Sequence, residues 1–231
     1  MGNAQEGKSL ETFSRGSTVY ARYALLLPLI LLNLVVSGLE DHHPLLKHFS
    51  NWFAAAVLAL TLYISRVGRV YFLAVASLAL FSAAALGSAR VRHGWLEIVV
   101  VAAFGTLIVL APVAILRRVR REFEDGGVDS EVILGALCAY LYIGNWYAFL
   151  YRAVAVLSNA PFFAQPGAEN GMNYVYFSFI TLATVGYGDL SPAYGPGRML
   201  AATEAIVGQL YLVSVVALVV SAFGKRKSLR P

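Results

Sequence analysis

Thr184-Val185-Gly186-Tyr187-Gly188-Asp189 sets the terms on which the remainder of this chain is read. Two glycines alternate with a β-branched residue and an aromatic one, a threonine precedes them and an aspartate closes the run. Glycine takes φ > 0 at no steric cost, so Gly at every second position lets the backbone alternate its hand. Consecutive carbonyl oxygens can then point the same way, where in a regular strand they alternate. One chain so built offers a column of oxygens. Gly-Tyr-Gly-Asp alone also suits an ordinary turn. The flanks argue against that: an aromatic-rich segment of helix length, Met172 to Ala183, precedes the run, and a long apolar segment follows it.

Four copies around one axis would turn the column into stacked rings of carbonyls, able to replace the water shell of a dehydrated cation. Thr184 would add a ring of hydroxyls at the inner end. Val185 and Tyr187 are expected to turn away from the axis and pack the loop on its support, with Asp189 at the outer exit. One run per chain supplies a quarter of each ring, so three identical subunits are the implied partners.

The 231 residues are 58% apolar and 13% charged, with a mean hydropathy of +0.66, which points to a membrane protein with lipid contacts rather than a large soluble core. Net charge is +5, but the basic residues collect at segment ends and read as orientation signals, not as a nucleic-acid surface. Cys138 is the single cysteine, so neither a disulfide nor a cysteine metal cluster is available. No cleavable leader is apparent in the polar start, and no convergent His, Asp, Ser or Cys constellation suggests an enzyme.

Six apolar spans are expected, giving an all-α membrane protein. Residues 1–19 read as a polar cytoplasmic segment and 20–121 as a four-helix transmembrane domain. Its spans are Tyr20 to Leu39, which contains Pro28; Asn51 to Ile64, short unless it begins near Leu45; Val70 to Gly87; and Trp95 to Leu116. His42 and His43 fall in a solvated link. Arg117-Arg118-Val119-Arg120-Arg121 is costly to translocate, which places that end and both termini in the cytoplasm. Between Trp95 and Leu116 there is no arginine or lysine, whereas a voltage sensor needs several within the field. Glu97 could pair with Arg90 or Arg92 near the outer interface.

Residues 128–223 form the second unit, with 224–231 a short basic tail. Asp129 or Ser130 can cap a helix running to about Ser158, followed by an outer turret from Asn159 to Gly171. Met172 to Ala183 is too short to cross a bilayer and is expected to be a re-entrant pore helix, enclosed by protein, with its negative C-terminal dipole facing a central cavity. Tyr174, Phe177 and Phe179 can brace the extended filter. In the last helix, Arg198 to Phe223, the residues Gln209, Leu212 or Val213, Val216 and Val220 recur near helical spacing and could line an inner conduit. Gly208 is a candidate hinge or a close-packing glycine. Glu204 should face protein, behind the pore helix or filter, either as a structural acid satisfied by hydrogen bonds or as a control on conduction.

Residues 130–223 resemble the two-helix pore module of potassium channels, whose filters carry this Thr-Val-Gly-Tyr-Gly sequence. The resemblance implies a homotetrameric channel with potassium ions as the conducted ligand, held by carbonyls of Thr184, Val185, Gly186 and Tyr187, and by the Thr184 hydroxyl. It also implies that Gly208 stands at the gating glycine of the inner helix, and Gln209-Leu210-Tyr211-Leu212 is similar to bacterial members, hence a bacterial inner membrane. Two departures matter. The fourth span lacks the sensor arginines, and Ile180 is apolar where some bacterial pores carry a glutamate behind the filter. Passive potassium flux with weak or no voltage dependence is the expected function, without a cofactor or an attached soluble ligand-binding domain. A nonconducting regulatory subunit and a cation transporter subunit are the alternatives.

Overall fold

The computed structural model describes residues 22–39, 44–65, 110–117, 120, 130–158 and 160–228. The expected 1–19 segment, the histidine link, the span from Val70 to Gly87, the Arg90, Arg92 and Glu97 pairing and most of the fourth span lie outside the described residues.

Among the described residues five helices follow in order: α1, Arg22–Gly38; α2, Pro44–Ile64; α3, Ser130–Ser158; α4, Gly171–Leu182; and α5, Gly195–Ser228. Residues 110–117 are also helical. The second apolar segment is longer than its apolar run, since Pro44 starts it: proline suits a first helical turn, where its missing N–H leaves no bond unmade. Pro28 is accommodated inside α1.

α3 is the centre of the arrangement, packing on α1, α4 and α5, while α1 also packs on α2 and touches α4. One apolar core joins Tyr23, Leu26 and Ile30 of α1 with Leu58 and Leu62 of α2, Ile115, and Val132, Cys138 and Ala139 of α3. Thr61 and Tyr142 pair inside it: the Thr61 hydroxyl lies 2.6 Å from the Tyr142 hydroxyl and donates to the Val57 carbonyl at 2.7 Å. On the opposite face of α1, Leu25, Leu31, Leu32 and Val35 are exposed, an apolar surface suited to lipid.

Among the described residues two helical stretches are long and apolar enough to cross a membrane, Val132–Ser158 and Gly195–Ala217; Tyr23–Gly38 and Trp52–Ile64 are apolar but shorter. At 1.5 Å per residue, 27 residues reach roughly 40 Å, beyond the roughly 30 Å hydrocarbon layer.

The link after α3 differs from the expected surface turret. Phe162 and Phe163 turn inward and form, with Tyr147 and Tyr151 of α3 and Tyr174 and Phe177 of α4, a second buried cluster. Ring centroids lie 4.9 Å apart for Tyr151 and Phe162, 5.1 Å for Tyr151 and Phe177 and 5.1 Å for Phe163 and Tyr174. The link is thereby a wedge between helices.

Candidate functional site

α4 stops where the glycine-alternating run begins, and the stop is built from backbone bonds. Asn170, extended at φ −123°, caps the start by accepting from the Asn173 N–H at 2.7 Å. At the other end the Ile180 carbonyl accepts from both Val185 N–H (2.8 Å) and Gly186 N–H (3.2 Å), and the Thr181 carbonyl accepts from Thr184 N–H (2.9 Å). The first residues of the run are thus tied to the last turn of the helix, whose dipole is negative there.

Along the run the sign of φ alternates. Thr184 (57°), Gly186 (56°) and Gly188 (79°) are left-handed, and Val185 and Tyr187 between them are not. Both glycines behave as their positions suggested. Thr184 is the surprise, since a β-branched residue rarely takes positive φ. Its residue type gives no hint of this; counting back by twos from Gly188 does.

Beyond the run, Asp189 accepts from the Tyr176 hydroxyl at 2.7 Å. The chain is then pinned to the inward-turned link: Ala164 N–H donates to the Ser191 carbonyl and Ala193 N–H to the Phe162 carbonyl, both at 2.8 Å, while Ser191 N–H donates to Gln165 Oε1 at 3.0 Å. Glu169 closes the same corner, accepting from Phe163 N–H at 2.9 Å and from the Tyr174 hydroxyl.

Phe177 is buried against Phe162, Phe163 and Tyr151. Phe179 lies against Gly144 of α3. Val185 and Tyr187 are 52% and 72% exposed, so one chain covers them only in part. Glu204 is fully buried behind α4, accepting from the Tyr151 hydroxyl and paired with the Ser178 hydroxyl. Gly208 is buried against Leu182 at the end of α4. Gln209, Leu212 and Val216 are exposed on α5; the Val220 side chain lies outside the described residues. Sequence reasoning missed Tyr151 and Ser178 as the partners of Glu204, and Tyr176 as the partner of Asp189.

Residues 135–225 match the pattern of a protein family described as Ion channel. The site lies wholly inside that match. The likeness is to a channel and not to an enzyme, and among the described residues no group of three or more His, Cys, Asp or Glu side chains is placed to hold a metal ion. A Rhodopseudomonas palustris protein provisionally named a potassium channel protein is 39% identical over 51 residues, which are 22% of this chain and 12% of that one. The chain therefore aligns with about an eighth of that relative's length. No solved structure matches the chain.

Proposed function

We propose that the chain is one subunit of a potassium-selective channel that conducts passive flux through a filter made by Thr184, Val185, Gly186, Tyr187 and Gly188 of four copies. The observation that carries this reading is the alternation of backbone hand from Thr184 to Gly188, on a run tied to the C-terminal end of α4. Potassium occupies successive carbonyl rings and leaves by repulsion from the ion behind it, with weak binding at several positions permitting rapid exit.

Fourfold assembly is supported by what one chain leaves uncovered. Val185 and Tyr187 need neighbours to hold the loop, and α5 exposes Met199, Ile206, Leu210, Val213 and Val216 around much of its circumference. In the same reading, residues 128–223 are the pore unit and 20–121 a four-helix unit, giving six spans with both termini cytoplasmic in a bacterial inner membrane. Gln209, Leu212, Val216 and Val220 line the inner conduit. Voltage dependence is weak or absent, because no arginine or lysine stands between Trp95 and Leu116.

Current across a planar bilayer holding the purified protein, with potassium on one side and sodium on the other, tests the reading while voltage is stepped. A reversal potential near that for potassium, with open probability flat in voltage, is expected. Equal sodium and potassium flow would remove the selectivity assignment, and absence of current would favour a nonconducting subunit. A steep voltage response would keep the pore and overturn the reading of the first four spans.

A further inference from the structure

The bonds around Glu204 require a proton that the surrounding hydroxyls do not have. Tyr151 is hydrogen-bonded to one carboxyl oxygen, Oε2; Ser178 Oγ is bonded to the other, Oε1; and Ser178 Oγ also approaches the Gly144 carbonyl at 2.6 Å. Each of these close approaches needs one proton. The tyrosine and serine hydroxyls bring one apiece, and the Gly144 carbonyl is an acceptor with none. The remaining proton has to sit on the carboxyl. Placed on Oε1, it is donated to Ser178 Oγ, which frees the serine proton for Gly144, while Tyr151 donates to Oε2.

An ionised Glu204 would compete with the Gly144 carbonyl for the one serine proton, leaving two oxygens in close contact with no proton between them. It would also hold an unpaired charge at a fully buried site. The groups acting on it are Ser178 from α4 and Tyr151 from α3, with Tyr140 of α3 further off, and none is a cation. Glu169 makes the contrast. It accepts from Phe163 N–H and the Tyr174 hydroxyl, donors that each own a proton, so its bonds call for none from the carboxyl.

We infer that Glu204 is held as a neutral carboxylic acid whose proton completes a hydrogen-bond chain from Tyr151 through Ser178 to the Gly144 carbonyl, and that removing this proton at alkaline pH loosens α4 from α3 and α5 and closes the pore. The chain joins all three helices that hold the Thr184–Gly188 run. The location of the proton is independent of the channel reading; the effect on flux rests on it.

The test uses the full-length protein in lipid vesicles, uniformly labelled with 13C-glutamate. At neutral pH the infrared spectrum should contain a protonated-acid C=O band that moves with the label and is missing from Glu204→Gln. Potassium flux should fall about tenfold or more as pH is raised, the loss expected for stranding one charged buried group, while Glu204→Gln flux stays flat. Glutamine keeps every bond, its N–H2 donating to Ser178 and its carbonyl accepting from Tyr151. Absence of the labelled band, an alkaline loss of flux retained in Glu204→Gln, or failure of that variant to assemble would each overturn the proposal. A labelled band in a protein that passes no potassium would support the proton's location and count against the channel reading alone.

Discussion

Gly208 of α5 aims its Cβ position at the backbone carbonyl oxygen of Leu182, the last residue of α4. A methyl placed there would also come within 3.0 Å of Leu182 Cδ1 and 3.1 Å of its carbonyl carbon. The same carbonyl accepts from the Tyr140 hydroxyl at 3.2 Å, so the end of α4 is held from two sides and has no room to give. A glycine that serves only as a hinge predicts that Gly208→Ala stiffens and stabilises α5, by about 1 kcal/mol of helix propensity. Close packing predicts the opposite, an overpacking cost of about 1–3 kcal/mol. The midpoint of thermal unfolding in detergent should therefore fall in Gly208→Ala, and a rise would return the position to a pure hinge.

Gly186 stands at φ 56° with nothing within 4 Å of its Cβ position. A substitution there meets a backbone penalty and no steric one inside the chain, on the order of 1–2 kcal/mol for a left-handed L-residue. Gly186→Ala should fold and insert normally yet lose selective flux, because the alternation of hand is interrupted at its middle residue. Vesicle potassium flux against sodium flux, measured beside a circular dichroism spectrum, checks both halves. Unchanged potassium selectivity would mean that the alternation does not matter to the pore.

How far the sequence foretold these features varies with the kind of interaction. The Thr184 to Asp189 run was readable because alternating glycine has few other uses, and α3 was placed at Ser130 to Ser158 by a capping residue and an apolar run. The wedge at Phe162 and Phe163 was hidden because proline and glycine around it make the link look like surface. Burial of Glu204 followed from the cost of a carboxyl in lipid. Its partners did not, since Ser178 and Tyr151 lie 26 and 53 residues away and sequence spacing carries no signal over such separations.

Asn170 should matter more than its place in a loop implies. Its side chain accepts from Asn173 N–H at 2.7 Å, satisfying a donor at the start of α4 that the helix itself leaves open. Asn170→Ala is expected to lower stability by about 1 kcal/mol, and Asn170→Asp, which keeps the acceptor, to recover it. Denaturant titration of the two variants in parallel measures the difference. Equal losses in both would show that the bond does not support the helix.

Gly144 and Phe179 should behave as one unit. A Cβ on Gly144 would lie 2.8 Å from Phe179 Cζ and 2.9 Å from Cε1, so the phenyl ring of α4 occupies the space that a side chain on α3 would need. The Gly144 carbonyl meanwhile accepts from Ser178, the neighbour of Phe179, which prevents α4 from shifting outward without breaking that bond. Gly144→Ala alone should therefore destabilise by about 1–3 kcal/mol through overpacking. Phe179→Leu alone should destabilise through the vacated volume. Together the smaller side chain makes room for the methyl, and the double variant should be more stable than the sum of the two losses predicts, by about 0.5–3 kcal/mol. A double-mutant cycle on unfolding free energy decides the matter: strict additivity would mean that the two helices reach each other through contacts other than this one.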